Sequence, residues 1–198
     1  MNAAPDVIFS QMEPSTGAPL FSNFKELGGL TIPIVGSDIT AGSDFIDAVT
    51  PAAAHDVLIS LNGADVSGAA SDIFKQYYAK AYTHQPLADS NYAYDATVIL
   101  ALAIAKVGGT DGVQVAAAIP VVSSSAGGDT ITSYKDGAAA LKAGKKTRYV
   151  GASGPYDFND QHNVFGDFDA VQADATTGKL QTVLTLSAAD LKAATVAP

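Results

Sequence analysis

The sequence predicts an α/β protein: a parallel sheet of βαβ units with an antiparallel hairpin at its C-terminal end. Three observations predict it. Short apolar runs, Val7 to Phe9, Ile32 to Val35 and Val57 to Leu61, alternate with helical patterns, which is how parallel strands joined by crossover helices read. The first two runs each end in a polar loop, at the carboxyl end of a strand, where open α/β sheets hold their ligands. Late in the chain the period changes. Phe165 to Gln172 and Leu180 to Leu186 read as strands, and the polar segment 174–179 between them turns the chain back.

The elements follow in order. After the first strand, 14–18 is a polar loop and 18–27 a helix. Gly28-Gly29 ends that helix, because glycine accepts the left-handed closing conformation. The second strand stops at Gly36. Ser43-Asp44 open a helix with Phe45, Ile46 and Val49 facing inward, and Pro51 stops it. Beyond the third strand, 65–71 is a connector rich in Gly, Ser and Ala. Ser71 then caps a helix carrying Phe74, Tyr77, Tyr78 and Tyr82, whose helical spacing favours a packing stripe over a binding surface. Pro86 to Ser90 is a loop. Asn91 to Val107 is the strongest helix. Its residues 96–105 are apolar on nearly every face, which predicts burial between neighbours. Lys106 suits the negative helix end, and Gly108-Gly109 closes it. Thr110-Asp111 start a short helix through Ile119, 123–129 is a low-complexity loop, 133–143 is another helix, and Ser187 caps the last one.

Composition bounds the function. Of 198 residues 47% are hydrophobic and 16% charged, with a formal net charge of -9. That is a globular chain, and its acidity argues against a nucleic-acid partner, which needs a basic face. With no cysteine there are no disulfides and no thiolate chemistry. The most apolar run, 96–105, is too short to span a bilayer. Met1-Asn2-Ala3-Ala4-Pro5 has neither the basic start nor the apolar core of a signal peptide. A chain that opens just before a core strand is expected to be a fragment.

The chemistry-bearing residues are sparse. His55, His84 and His162 are far apart, with no metal-type neighbour at helical spacing. No nucleophile elbow, phosphate loop or dinucleotide fingerprint occurs. Gly151-Ala152-Ser153-Gly154 is small-residue rich, but Pro155 and the lack of a lysine argue against phosphate binding. Asp157, Asp160, Asp167 and Asp169 give only a partial calcium pattern and read as a polar turn. Lys142, Lys145, Lys146 and Arg148 read as a solvated turn. No catalytic residue, metal or cofactor is therefore expected. The candidate site is the end of the second strand, Gly36-Ser37-Asp38. A carboxylate there suits a small cation or an amine, while Asp38 as a helix cap or solvated loop residue remains the alternative. The loop Gln11-Met12-Glu13 after the first strand would supply a second wall.

Five stretches, in this order, carry a resemblance. They are Asp6-Val7-Ile8-Phe9 with the helix ending Glu26-Leu27-Gly28-Gly29; Gly36-Ser37-Asp38; Tyr94-Asp95-Ala96 with its apolar helix; Gly108-Gly109-Thr110-Asp111-Gly112; and Gly154-Pro155-Tyr156-Asp157-Phe158 before the hairpin. Together they resemble the extracytoplasmic solute-binding proteins of the leucine/isoleucine/valine-binding family, with the type I periplasmic-binding fold. Gln161-His162-Asn163 stand where that family usually has glycine. The resemblance covers almost this whole chain but only the later part of such a protein.

The resemblance implies binding without catalysis. The chain would be the C-terminal region of a solute-binding component of an ABC transporter, periplasmic or extracellular. Its solute would be an amino acid or similar small polar molecule, handed to a membrane permease. Residues 5–60 and 152–190 would form the second lobe, and 64–150 the segment returning to the first. Asp38 would meet the ligand ammonium, with Gln11, Met12, Glu13 and Ser37 around it. A ligand-sensing receptor domain of the same fold is the alternative, and a flavodoxin-like enzyme with Asp38 as its acid a further one. Because one side of the helix 91–107 would lack its covering lobe, the fragment is expected either to self-associate or to repack 64–150 onto its own sheet.

Overall fold

The fold is described from a computed structural model, in which residues 5–38, 43–63, 66–84, 86, 89–124 and 126–196 are described. The elements are β1 (Ile8–Ser10), α1 (Pro14–Glu26), β2 (Ile34–Ser37), α2 (Ser43–Val49), α3 (Pro51–Val57), β3 (Leu58–Gly63), α4 (Ala69–Ala81), α5 (Ser90–Val107), α6 (Gly112–Ser123), β4 (Asp129–Ile131), α7 (Tyr134–Lys142), β5 (Thr147–Gly151), β6 (Gly154–Pro155), β7 (Phe168–Ala173), β8 (Leu180–Leu186) and α8 (Ala188–Val196). They form two compact units, Met1–Ala64 with Asp167–Pro198, and Asp65–Gly166.

The first unit is a five-stranded sheet in the order β1-β2-β3-β7-β8. Strands β1, β2 and β3 are parallel; β7 joins β3 antiparallel, and the hairpin partner β8 follows. The expected α/β class with parallel βαβ units and a closing hairpin is what the chain forms. Register places Ile8, Ile34 and Leu58 side by side. Against Ile34 and Leu58 pack Phe21, Phe45, Ile46, Val49 and Ala54 of α1, α2 and α3. Strand residues alternate faces, so Phe9, Val35 and Ile59 lie on the opposite face. There Phe9 is 79% exposed.

Several boundaries move, each for a local reason. Helix α1 starts at Pro14, not at 18. Proline's fixed φ and missing N–H suit the first helical position, and the Glu13 carbonyl accepts from Thr16 and Gly17. Strand β2 runs on through Gly36 to Ser37. Pro51 ends one helix and begins another. Thr50 leaves the helical region at φ 79, its hydroxyl accepts from the Ala53 N–H, and Pro51 opens α3. Helix α3 is then tied to β7 in both directions. The His55 ring donates from Nδ1 to the Ala173 carbonyl at 2.7 Å, and Gln172 Nε2 donates to the His55 carbonyl at 2.7 Å. A chain closure like this fixes the ring as its Nδ1–H form.

The second unit has its own core and its own sheet. Strand β5 pairs parallel with β4 and antiparallel with β6, under a core that includes Ile99, Leu102, Val115, Val122, Ile131 and Tyr149. Residues 65–166 thus make a unit with a core and a sheet of their own. Helix α4 begins at Ala69 after Gly68, so Ser71 is a buried interior residue and not its cap. Strand β4 starts where the low-complexity loop ends, at Asp129, and β5 starts within the basic cluster, with Thr147 and Tyr149 buried. Lys145 pairs with Asp129 at 2.8 Å, and Arg148 with Asp157. The stretch 152–166, read from the sequence with the second lobe, lies within the unit Asp65–Gly166. Among the described residues no single helix is long and apolar enough to cross a membrane.

Helix α5 is not apolar all round in effect. Asp95, Val98, Ile99, Leu102 and Ala103 are buried, whereas Leu100 is 47% exposed. The exposed positions mix Tyr92, Thr97, Leu100 and Lys106 with Ala93, Ala96 and Ala105. Asp95 anchors the unit. Its carboxylate accepts from Tyr149 Oη at 2.8 Å, the Ala152 N–H at 2.8 Å, the Ser153 N–H at 2.7 Å and Ser153 Oγ at 2.6 Å. The small residues 151–154 are therefore the tight β5–β6 turn that wraps this carboxylate.

Candidate functional site

The parallel strands β1 and β2 end side by side, since Ser10 pairs with Gly36. Gln11 is the next residue after β1, and Asp38 the next after β2. Parallel pairing alone therefore brings two sequence-predicted candidates to one rim. They open onto a cavity of about 630 Å³ whose polar lining is Ser10, Gln11, Ser37 and Asp38, and whose apolar lining includes Phe9, Val35, Leu61 and Phe168. All of these lie in the first unit.

The electrostatics of this wall are simple. Asp38 is the one ionisable side chain among the described lining residues, it is half-buried, and no donor or cation among the described residues meets its carboxylate. Ser37 adds a second unspent group: its Oγ is buried with no hydrogen-bond partner, while its carbonyl accepts from Ser60 Oγ at 2.6 Å. Buried polar atoms are usually paired, so an orphan hydroxyl next to a free carboxylate marks a place where something else supplies the partner. An ammonium group is the complementary chemistry, because a charge-assisted hydrogen bond in a water-poor site is strong. Among the described lining residues there is no arginine or lysine, so a ligand carboxylate finds no counter-charge there.

Met12 and Glu13 are not in the lining. Met12 turns back to pack against the core cluster beside Phe21, and its N–H donates to Ser10 Oγ at 3.5 Å. Glu13 precedes α1 and its carbonyl takes up the first helical N–H groups. Both follow from the early start of α1, which shortens the loop after β1. Sequence reasoning missed Phe9, Val35, Leu61 and Phe168. The signal for the first three was strand alternation: they share the sheet face opposite the helices.

The other candidates separate. Asp157 is held by Arg148; Asp167 accepts from the Ala188 N–H at 2.7 Å; Asp169 accepts from Thr185 Oγ1 at 2.6 Å. Among the described residues no group of three or more His, Asp or Glu side chains is placed to hold a metal ion. The Gln161-His162-Asn163 turn keeps a left-handed residue without glycine, with His162 at φ 60, because Asn159 Oδ1 accepts from the N–H groups of Gln161 and Asn163.

Residues 2–176 match the family described as the receptor family ligand binding region. The chain belongs to that family. No curated protein matches it. Among solved structures, this member of the receptor ligand-binding family is similar to the leucine binding protein LivK from Thermotoga maritima (TM-score 0.62, 18% identity), covering 94% of this chain and 46% of that one. It is similar to the branched-chain amino acid transporter substrate binding protein LivJ from Streptococcus pneumoniae, solved with isoleucine (TM-score 0.60, 16% identity), over 94% of this chain and 46% of that one. A solute binding protein of an ABC transporter from R. palustris, solved with benzoate, matches at TM-score 0.53 and 18% identity, over 92% and 43%. At these identities the likeness is one of fold, the type I periplasmic-binding fold. The chain spans less than half the length of the solved structures it matches. None of these neighbours is described as an enzyme.

Proposed function

We propose that this chain is the later part of an extracytoplasmic solute-binding component of an ABC transporter, and that its first unit supplies one wall of the solute site. The observation that carries the reading is the cavity at the ends of β1 and β2, with the Ser37 hydroxyl and an Asp38 carboxylate that meets no donor among the described residues on its rim. An amino acid or similar small amine fits that wall: its ammonium meets Asp38, and its apolar part lies along Phe9, Val35 and Leu61. Its carboxylate needs donors from outside this wall. A permease in the membrane is the partner that receives the solute, and the compartment is periplasmic or extracellular. In this reading the first unit belongs to the second lobe and the segment within 65–166 returns to the first.

A ligand-sensing receptor of the same fold is the second reading, favoured by the family description itself. An enzyme reading has little to work with, since no histidine or lysine is among the described lining residues to activate the Ser10 or Ser37 hydroxyl beside Asp38. A thermal-shift screen of free amino acids and small amines on the complete protein tests the proposal, because a ligand that binds only the folded state raises the melting temperature. Amines that raise it, with carboxylic acids lacking an amine leaving it unchanged, is the expected result. Stabilisation by amine-free acids alone would overturn the assignment of Asp38.

A further inference from the structure

The rim of the cavity at the ends of β1 and β2 differs on the two sides of Asp38. Toward β1 it is polar, with Ser10 and Gln11; toward β3 and β7 it is apolar, with Leu61 and Phe168. Pairing sets the order on the apolar side. Leu61 stands opposite Ser37, and Phe168 stands opposite Gly63. Gly63 is two residues on from Leu61, so Leu61 and Phe168 share one face of the sheet. Neighbouring strands lie about 4.8 Å apart, so Phe168 is two strands, or about 10 Å, from the strand that leads into Asp38. Gly63 has no side chain to fill the space in front of the ring. A substituent that leaves an ammonium at Asp38 and follows the apolar side of the rim therefore crosses Leu61 and ends at Phe168.

Phe168 is held as a fixed stop needs to be. On one side of it, Asp167 accepts from the Ala188 N–H at 2.7 Å; on the other, Asp169 accepts from Thr185 Oγ1 at 2.6 Å. Leu186 of β8 stands in register with it. The two aspartates that read from the sequence as a polar turn thus tie both flanks of Phe168 to the next strand and to the helix after it. The ring itself is 40% exposed. Phe9, the other phenylalanine of the lining, is 79% exposed on a three-residue edge strand. Selection by size needs a wall whose position is set by its supports, and Phe168 meets that requirement better than Phe9.

We propose that Phe168 determines specificity at the solute site: its ring closes the apolar end of the rim and limits the length of the substituent carried by the amine. The proposal rests on the reading in which Asp38 holds the ammonium. The test is calorimetric titration of L-alanine, L-norvaline, L-norleucine and L-2-aminooctanoate into the complete protein and its Phe168→Ala and Phe168→Trp variants. In the parent, affinity is expected to rise with chain length and then to fall about tenfold or more at the first member too long for the site. Phe168→Ala is expected to move that cut-off to a longer member while the shorter ones bind within about twofold of the parent. Phe168→Trp is expected to move it to a shorter one, and it decides the matter alone if the alanine variant does not fold. A purely structural role would weaken every member alike. Uniform weakening, a cut-off that stays in place in the variants, or no cut-off in the parent overturns the proposal. If Asp38→Ala weakens the whole series while the cut-off ignores Phe168, this proposal alone falls. If no member binds the parent, the reading of Asp38 falls with it.

Discussion

Asp95 shows how one residue can organise a turn many positions away. It is fully buried on α5, and its donors lie on β5 and on the turn after it. Loss of the acceptor would strand several donors at once, each costing about 1–3 kcal/mol when left unpaired. Asp95→Ala is therefore expected to lower unfolding stability by about 3 kcal/mol or more in urea titration. Gly151→Ala should act in the same direction, by about 1–3 kcal/mol, because the new methyl group would fall on the Asp95 carboxylate. An unchanged urea midpoint in either variant would contradict this picture. Burial first, and the neighbouring Asp95 second, push the Tyr149 hydroxyl far above the usual tyrosine range. A raised value in the folded state means that the neutral phenol is favoured by folding. The contribution is whole below the unfolded value of about 10 and declines as pH rises past it. Alkaline melting should accordingly steepen above about pH 10 and be shallower in Tyr149→Phe. The sequence displayed the Tyr94-Asp95-Ala96 stretch and the small residues 151–154, but not their connection. They are separated by more than fifty positions, with Tyr149 at a separation of 54, and nothing local encodes that pairing.

At the scale of elements, local chemistry was readable wherever one residue decides the outcome. Ser133 accepts from the Asp136 N–H at 3.2 Å at the start of α7, and Asp111 from the Gln114 N–H at 3.0 Å at the start of α6. Gly108 closes α5 in the left-handed conformation at φ 70. Both caps predict that alanine substitution costs about 1 kcal/mol, and a calorimetric melt of Ser133→Ala checks it; no change would mean that α7 is held by packing alone. What escaped were elements made by pairing. Strand β4 is three residues that follow a loop of small residues, and β5 begins beside lysines. Each becomes a strand because the other lies alongside it. Helix α3 was hidden because Pro51 is both a stop for α2 and a start for α3. Its docking on β7 predicts that Gln172→Ala destabilises the first unit by about 1 kcal/mol, read by urea unfolding, and an unaltered midpoint would show that the His55–Gln172 exchange contributes nothing.

For the whole molecule, period and composition carried the class. Strand-helix alternation followed by a hairpin gave the mixed sheet, and the order of five short stretches gave the family. The convergence of Gln11, Ser37 and Asp38 on one cavity was legible for the same reason: parallel strands bring their carboxyl ends to one side. Met12 and Glu13 fall outside the cavity lining because the start of α1, set by Pro14, decides where the loop ends. The central claim, an amine held by Asp38, is tested most directly by calorimetric titration of L-leucine, L-isoleucine and L-valine into the complete protein and its Asp38→Ala variant. The amino acid which binds is expected to do so about one to three orders of magnitude more weakly to the variant, roughly 1.4 kcal/mol for each tenfold. Equal affinity in a variant that melts like the parent would contradict it.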